Sequence, residues 1–317
     1  LGVVVWKLLN SYVSAFNPEK VEKYYLDRYE DDYEGFIVAK KELLNLSEHC
    51  KKNSINCHII LMPDIHKTAV IDKNASIGDN VTIGAYSVIE GNVKIANNNV
   101  IKSSVFISGN TEIGPGNIFY PFCSIGSLPQ DLKFNNERTY LRIGSNNTFR
   151  EYSTVNLGTK GGGEWTKIGS NSLFMIGAHI AHDCVVGDNI VMANQATLGG
   201  HVIVENNAII GGLSGIHQFC RIGSLSMVGG LSAVENDVVP FGLVTGNRAK
   251  LLGLNMIGLR RANYPNKVII ELKEIFSKIF NSNEIKNSSI MNKNTDNELA
   301  KKLIEFVIVD SSRGLCT

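Results

Sequence analysis

Hydrophobic positions along this chain recur every six residues. Counting from Ile65, every sixth position reads Ile65, Ile71, Ile77, Ile83, Ile89, Ile95, Ile101, Ile107, Ile113, Phe119 and Ile125. A second register reads Ile168, Phe174, Ile180, Val186, Met192, Leu198, Val204, Ile210, Ile216, Ile222, Val228 and Val234. Apolar residues make up 44 % of the chain, so twelve successive hits arise by chance with odds on the order of 10⁻⁴. A helix repeats near 3.6 residues and a strand at 2, so neither explains a period of six. Short strands joined by corners, coiling into a prism with one inward apolar residue per side, do explain it. Glycine often follows the apolar position, as at Gly78, Gly84, Gly114, Gly126, Gly211 and Gly223, which suggests sharp corners. Each coil then buries its apolar ladder on the next.

Two polar stretches interrupt the register. Residues 127–141 (SLPQDLKFNNERTYL) separate Ile125 from Ile143, and residues 157–167 (LGTKGGGEWTK) leave the register slipped by one. Loops leaving a solenoid on one face often build its binding surface. The ends differ from the middle. Residues 18–55 predict helices around VEKYYLDRY and VAKKELLNLSEHCKK. Residues 265–281 have helical periodicity and start at Pro265, residues 282–296 predict a polar loop, and a last helix covers about 297–309. The expected organisation is an N-terminal extension over 1–63, a parallel β-prism over 64–254 and a helical region over 255–317.

Composition narrows the function classes. A net charge of +1 gives no global field for nucleic acid or an acidic membrane face. Cys50, Cys57, Cys123, Cys184, Cys220 and Cys316 show no metal-ribbon spacing and read as buried thiols in a reducing compartment. No stretch reaches membrane-span length. The first sixteen residues lack a basic start and a cleavage site, so a signal peptide is not expected. The chain starts with Leu1 rather than Met, which suggests that the natural N-terminus is missing.

Candidate chemistry concentrates in MIGAHIAHDC, which carries His179, His182 and Asp183, with His201 and His217 following. If three hexads make a coil, His182, His201 and His217 fall within one residue of a common position on successive coils. Such a cluster serves proton transfer near neutral pH, packs as surface histidines, or holds zinc as in hexapeptide-repeat carbonic anhydrases. QDLK supplies Gln130, Asp131 and Lys133, which either hold a sugar and phosphate or form a solvated loop. The triple glycine at 161–163 has no phosphate-loop context and reads as loop flexibility.

Residues 64–317 resemble the bacterial UDP-N-acetylglucosamine O-acyltransferases of lipid A biosynthesis. The resemblance rests on IGSLPQDLKF, MIGAHIAHDC, ATLGGHV, AIIGGLSGIHQFC, MVGGLSAV, GLNMIGLRR and SSRGL, in that order. It implies a left-handed parallel β-helix assembled as a cytoplasmic homotrimer, with no cofactor and no metal. It implies transfer of a 3-hydroxyacyl chain from acyl carrier protein to the 3-hydroxyl of UDP-N-acetylglucosamine. By the same resemblance His182 is the general base, Asp183 orients it, and the Gly200 N–H is the oxyanion donor. Gln130, Asp131, Lys133, His179, His201, His217, Gln218, Asn255 and Arg261 match substrate-binding positions, and Gly230 matches the position that admits a long acyl chain. Ile257, Ala262 and Arg248 depart from the family pattern at the nucleotide end. The later N-acyltransferase of the pathway is the near alternative, but residues 1–63 do not resemble its uridine-binding domain. Residues 1–63 weakly resemble a late piece of an SGNH-type hydrolase without its Gly-Asp-Ser block, so no hydrolase activity is expected there.

Overall fold

In the computed structural model the chain divides between Leu61 and Met62. Residues 63–280 and 295–317 are described, together with Lys52. The expected N-terminal helices, Cys50, Cys57 and most of the expected 282–296 loop lie outside the described residues.

From Asp64 to Thr245 the chain forms a left-handed parallel β-helix. Three sheets make its sides, here sheets 1, 2 and 3, with ten, nine and eight parallel strands, and sheet 1 gains an eleventh, antiparallel strand beyond Thr245. Most strands have only two residues, an outward one followed by the buried hexad residue, as in Thr82–Ile83 and Thr197–Leu198. The six-residue period thus reports one side of a triangular coil, and Ile65 pairs with Ile83 eighteen residues on. The ladder of sheet 1 continues through Ile101, Phe119, Phe149, Phe174, Met192, Ile210 and Val228. Phe119, Phe149 and Phe174 stack with centroids 5.0 and 4.6 Å apart. That is the spacing of adjacent strands, so like residues meet face to face inside the prism.

The insertions are counted by the register. Phe119 pairs with Phe149 and Phe149 with Phe174, separations of 30 and 25 rather than 18. The first insertion therefore adds 12 residues, two whole hexads, and the second adds 7, one more than a hexad. This is why the apolar register survives the first and slips at the second. Tyr140–Ile143 and Trp165–Ile168 are strands of sheet 3, so the true excursions are shorter than the polar stretches suggest.

The structure corrects the reading of the glycines. A Cβ on Gly84 would lie 2.6 Å from the Ser103 backbone nitrogen, and one on Gly114 would lie 2.7 Å from the Gly144 carbonyl oxygen. These glycines are required by close approach of the next coil rather than by turning. The left-handed corners are mostly non-glycine residues. The edge from sheet 3 to sheet 1 uses Asn80, Asn98, Asn146, Asn171, Asn189 and Asn207. The edge from sheet 1 to sheet 2 uses Tyr86, Ser104, Phe122, Tyr152, Gln195, Leu213 and Leu231. On the edge from sheet 2 to sheet 3 stand Asp183, His201 and Phe219.

The prism ends in an antiparallel hairpin, Gly242–Thr245 with Lys250–Leu254. Helices α1 (Met256–Arg261), α2 (Asn266–Phe280) and α3 (Glu298–Ile308) follow, within a residue or two of the expected bounds for the last two. Leu272, Ile275 and Ile279 of α2 and Leu303, Ile304 and Val307 of α3 form a second core with Val239, Phe241 and Leu259. Arg221 ties this region to the prism, bonding Asp237 at 2.7 Å and lying over the Phe306 ring. Cys123, Cys184, Cys220 and Cys316 are free and buried, as the sequence suggests. Among the described residues no helix is long and apolar enough to cross a membrane.

Candidate active site

Both insertions leave the prism where sheet 2 turns into sheet 3, one after Ser127 and the other after Asn156. On the next coil the same edge carries His182 and Asp183, between strands His179–Ile180 and Val185–Val186. Coil geometry thus places the chemistry directly beside the second insertion.

His182 is 6 % exposed, and its Nδ1–H donates to Asp183 Oδ2 at 2.8 Å. That bond selects the tautomer whose Nε2 lone pair is free to accept a proton. The His182 ring lies on Gly200, where a Cβ would stand 2.7 Å from Nε2, so only glycine fits. The Gly200 carbonyl accepts from the Phe219 N–H, while its own N–H has no hydrogen-bond acceptor among the described residues. His201 meets the His182 ring edge-on at 5.1 Å, stacks on Phe219 at 4.4 Å, and brings Nε2 to 3.7 Å from Asp183 Oδ2.

Asp183 is held from three sides. Oδ1 accepts the Thr159 N–H at 2.7 Å, and Oδ2 accepts the Thr159 hydroxyl at 2.6 Å. Its own N–H donates to Thr166 Oγ1 at 2.8 Å. Burial by itself would raise the pKa of this carboxyl. The hydrogen bonds from His182 and Thr159, with the charge of His201, outweigh burial and hold it below the ordinary carboxylate value. Burial pushes the pKa of His179 down, aided by His182. His201 is also shifted down, chiefly by burial and against the pull of Asp183. Burial raises the Cys184 thiol to about 12, which leaves it inert as a nucleophile.

The other expected site residues are dispersed. Asp131 lies near enough to bias His201, and its side chain closes a turn onto the Lys133 N–H at 3.0 Å. Gln130 and Lys133 are exposed in the first insertion. His179 shares a 2.7 Å hydrogen bond with Thr154. His217 does not join the cluster. It is exposed, with Nδ1 3.3 Å from the Gln218 carbonyl, because it precedes the corner that His201 occupies one coil earlier. Among the described residues the one group with metal-ligating spacing is His182, Asp183 and His201, not three histidines, and the Asp183 carboxylate already accepts three hydrogen bonds from Thr159 and His182. Asn255 caps α1, accepting the Gly258 N–H at 3.0 Å and donating to the Leu225 carbonyl at 2.9 Å. Arg261 is exposed at the end of that helix. Gly230 lies beside Leu231 on the edge from sheet 1 to sheet 2, not on the edge of His182.

Sequence reasoning missed Thr154, Thr159, Thr166 and Phe219. It also read the triple glycine as flexible. Instead Lys160–Gly162 is a 3₁₀ turn closed by Gly163 in the left-handed region, and a Cβ on Gly162 would run into the Asp183 carboxylate. The usable signal was the coil length: Thr154 pairs with His179, and five residues on from each stand Thr159 and Cys184.

Hexapeptide coils with a buried His–Asp pair at an edge define a transferase of the hexapeptide-repeat class. Residues 74–109 and 166–200 match the bacterial transferase hexapeptide repeats, and residues 237–316 match the second domain of UDP-N-acetylglucosamine O-acyltransferase. An acyl-[acyl-carrier-protein]–UDP-N-acetylglucosamine O-acyltransferase of Aliarcobacter butzleri is 49 % identical over 256 residues, 80 % of this chain and 98 % of the relative. A relative of that description from Herminiimonas arsenicoxydans is 42 % identical over 257 residues, 79 % of this chain and 98 % of the relative. The solved UDP-N-acetylglucosamine acyltransferase of Campylobacter jejuni superposes with a TM-score of 0.75 at 38 % identity, covering 80 % of this chain and 99 % of that one. The chain belongs to the UDP-N-acetylglucosamine O-acyltransferase family.

Proposed function

We propose that the protein moves a 3-hydroxyacyl chain from the thioester of acyl carrier protein to the 3-hydroxyl of UDP-N-acetylglucosamine. The observation that carries this reading is the buried His182–Asp183 pair, with Nδ1 bonded to the carboxylate and the ring lying against Gly200. His182 Nε2 takes the sugar hydroxyl proton as that oxygen attacks the thioester carbonyl. The new C–O bond forms, and the carbonyl oxygen becomes an oxyanion that the Gly200 N–H stabilises. Collapse breaks the C–S bond, and the carrier thiolate leaves with the proton from His182. No acyl-enzyme is required, in keeping with the buried high-pKa Cys184. His179, His201, Asp131, Lys133 and Gln130 orient the sugar and phosphates around this centre, with His217 and Gln218 at its margin.

Asn255 and Arg261 take the nucleotide, and Gly230 leaves room for a long acyl chain. These residues lie away from the His182 edge of their own chain. Side-by-side packing as a homotrimer brings different edges of neighbouring chains together, and the exposed apolar corners Phe122, Tyr152, Leu213 and Leu231 are surface that such packing covers. The proposed setting is the cytoplasm, and no hydrolase activity is proposed for residues 1–63. The test is an assay of carrier-protein thioesters of several lengths with UDP-N-acetylglucosamine and its 3-amino analogue, read by mass spectrometry, beside a solution mass. Product on the 3-hydroxyl with a preference for long chains supports the reading. Absence of transfer, or full activity of a monomer, refutes it.

A further inference from the structure

We infer that the second insertion is a positioning device for the catalytic pair, acting through Thr159 and Gly162, and not a substrate loop. The inference rests on the reading of His182 as base. Among the described residues Asp183 is the only group bonded to His182 Nδ1, and Thr159 supplies two of the three hydrogen bonds that its carboxylate accepts from them. Thr159 is 5 % exposed, so neither contact is shared with bulk water. Oδ2 receives both the Thr159 hydroxyl and the imidazole N–H, which fixes the carboxylate in the plane that His182 needs. Thr166, at the other end of the insertion, holds the Asp183 backbone. Gly162 closes the remaining side, because its Cα lies against the carboxylate where no Cβ fits. The 3₁₀ turn is anchored in turn to the first insertion, with the Lys160 N–H reaching Glu137 Oε1 at 3.4 Å.

Gly161 provides an internal contrast. It is exposed, and a Cβ there meets nothing within 4 Å. If loop flexibility mattered, Ala at 161 and at 162 would act alike. If contact with Asp183 matters, only position 162 responds.

The experiment measures kcat and KM for the full chain and for Thr159→Val, Thr159→Ser, Gly162→Ala, Gly161→Ala, Asp183→Asn and His182→Ala. Thr159→Val is expected to lower kcat about tenfold to hundredfold with KM for the nucleotide sugar unchanged, since a hydrogen bond to a charged group is lost. Thr159→Ser restores kcat, Gly162→Ala lowers it, and Gly161→Ala leaves it as in the parent chain. Thr159→Val combined with Asp183→Asn costs no more than Asp183→Asn alone, because both act through one carboxylate. The inference is overturned by an unchanged kcat in Thr159→Val or Gly162→Ala, by a rise in KM alone, or by additivity with Asp183→Asn. If Thr159→Val does not fold, Gly162→Ala set against Gly161→Ala decides the question: equal kcat in the two overturns the inference. Full transfer by His182→Ala would instead refute the underlying assignment of the base, which separates the two failures.

Discussion

Two edges of the prism solve one geometric problem with different residues. Most coils turn through a left-handed backbone conformation at their corners. Between sheets 3 and 1 the corner residue is Asn on six coils, with φ between 53° and 63°. Asn tolerates this conformation better than other non-glycine residues. Its side chain also stacks along the edge, as Asn80 donates to Asn98 at 2.7 Å. Between sheets 2 and 3 the same conformation is taken by Asp183, His201 and Phe219, at φ 60°, 61° and 66°. A histidine or phenylalanine there costs about 1–2 kcal/mol that Asn would largely avoid. Tyr, Phe and Leu also take this conformation between sheets 1 and 2, so what sets the second edge apart is its His182–Asp183–His201 network, whereas the first is shaped by folding.

The sharpest way to break that contrast is at His182. His182→Ala is expected to lower kcat/KM by about 10²–10⁴-fold while the chain remains folded, measured by product formation beside thermal melting. Wild-type transfer would make the second edge merely another corner. The next test converts one edge into the other. His201→Asn places the preferred corner residue at position 201, so unfolding free energy should stay within about 1 kcal/mol while transfer falls by roughly tenfold. Equal activity would mean that His201 is there for packing on Phe219 alone.

Acid should weaken the chemical edge first. His179 and His201 have folded pKa values below the ordinary 6.5, so the unfolded chain binds more protons as pH falls. Their contribution is present above about 6.5 and is lost as pH falls through that value toward the lower folded values. Asp183, also shifted down, keeps its contribution until pH falls below the ordinary carboxylate value and through its own. Denaturant unfolding from pH 7.5 to 5 should show declining stability, with a shallower slope in His201→Asn. The smallest effect is expected on the other edge. Asn189→Ala should cost about 1 kcal/mol by the same unfolding measurement, with kcat unchanged.

The prism was legible because its signal is one-dimensional. Each coil buries its hexad residue on its nearest neighbour, so burial alone writes Ile83, Ile101 and Phe119 at constant spacing. The helices at 266–280 and 298–308 were legible for the ordinary reason of an amphipathic face. His182 and Asp183 were legible because they are adjacent in one motif, whereas Gly200, one coil on, entered through the family resemblance. Gly200 in particular has a local cause, the imidazole that fills its Cβ position.

The rest depended on distances that sequence spacing does not carry. Thr159 stands 24 residues before Asp183, and only the 25-residue coil made by the second insertion brings them together. The role of Gly162 follows from a carboxylate on the next coil, and three glycines in a row carry no mark of that contact. His217 looked equivalent to His201, yet it stands two positions before the corner that Phe219 takes, which turns it away from the site. By itself the sequence determined the six-residue repeat, the burial ladder and the His–Asp pair, because those rest on local periodicity and nearest-neighbour stacking. Only the tertiary structure decided which edge carries the chemistry and which residues hold Asp183 in place, because both depend on how far each insertion lengthens its coil.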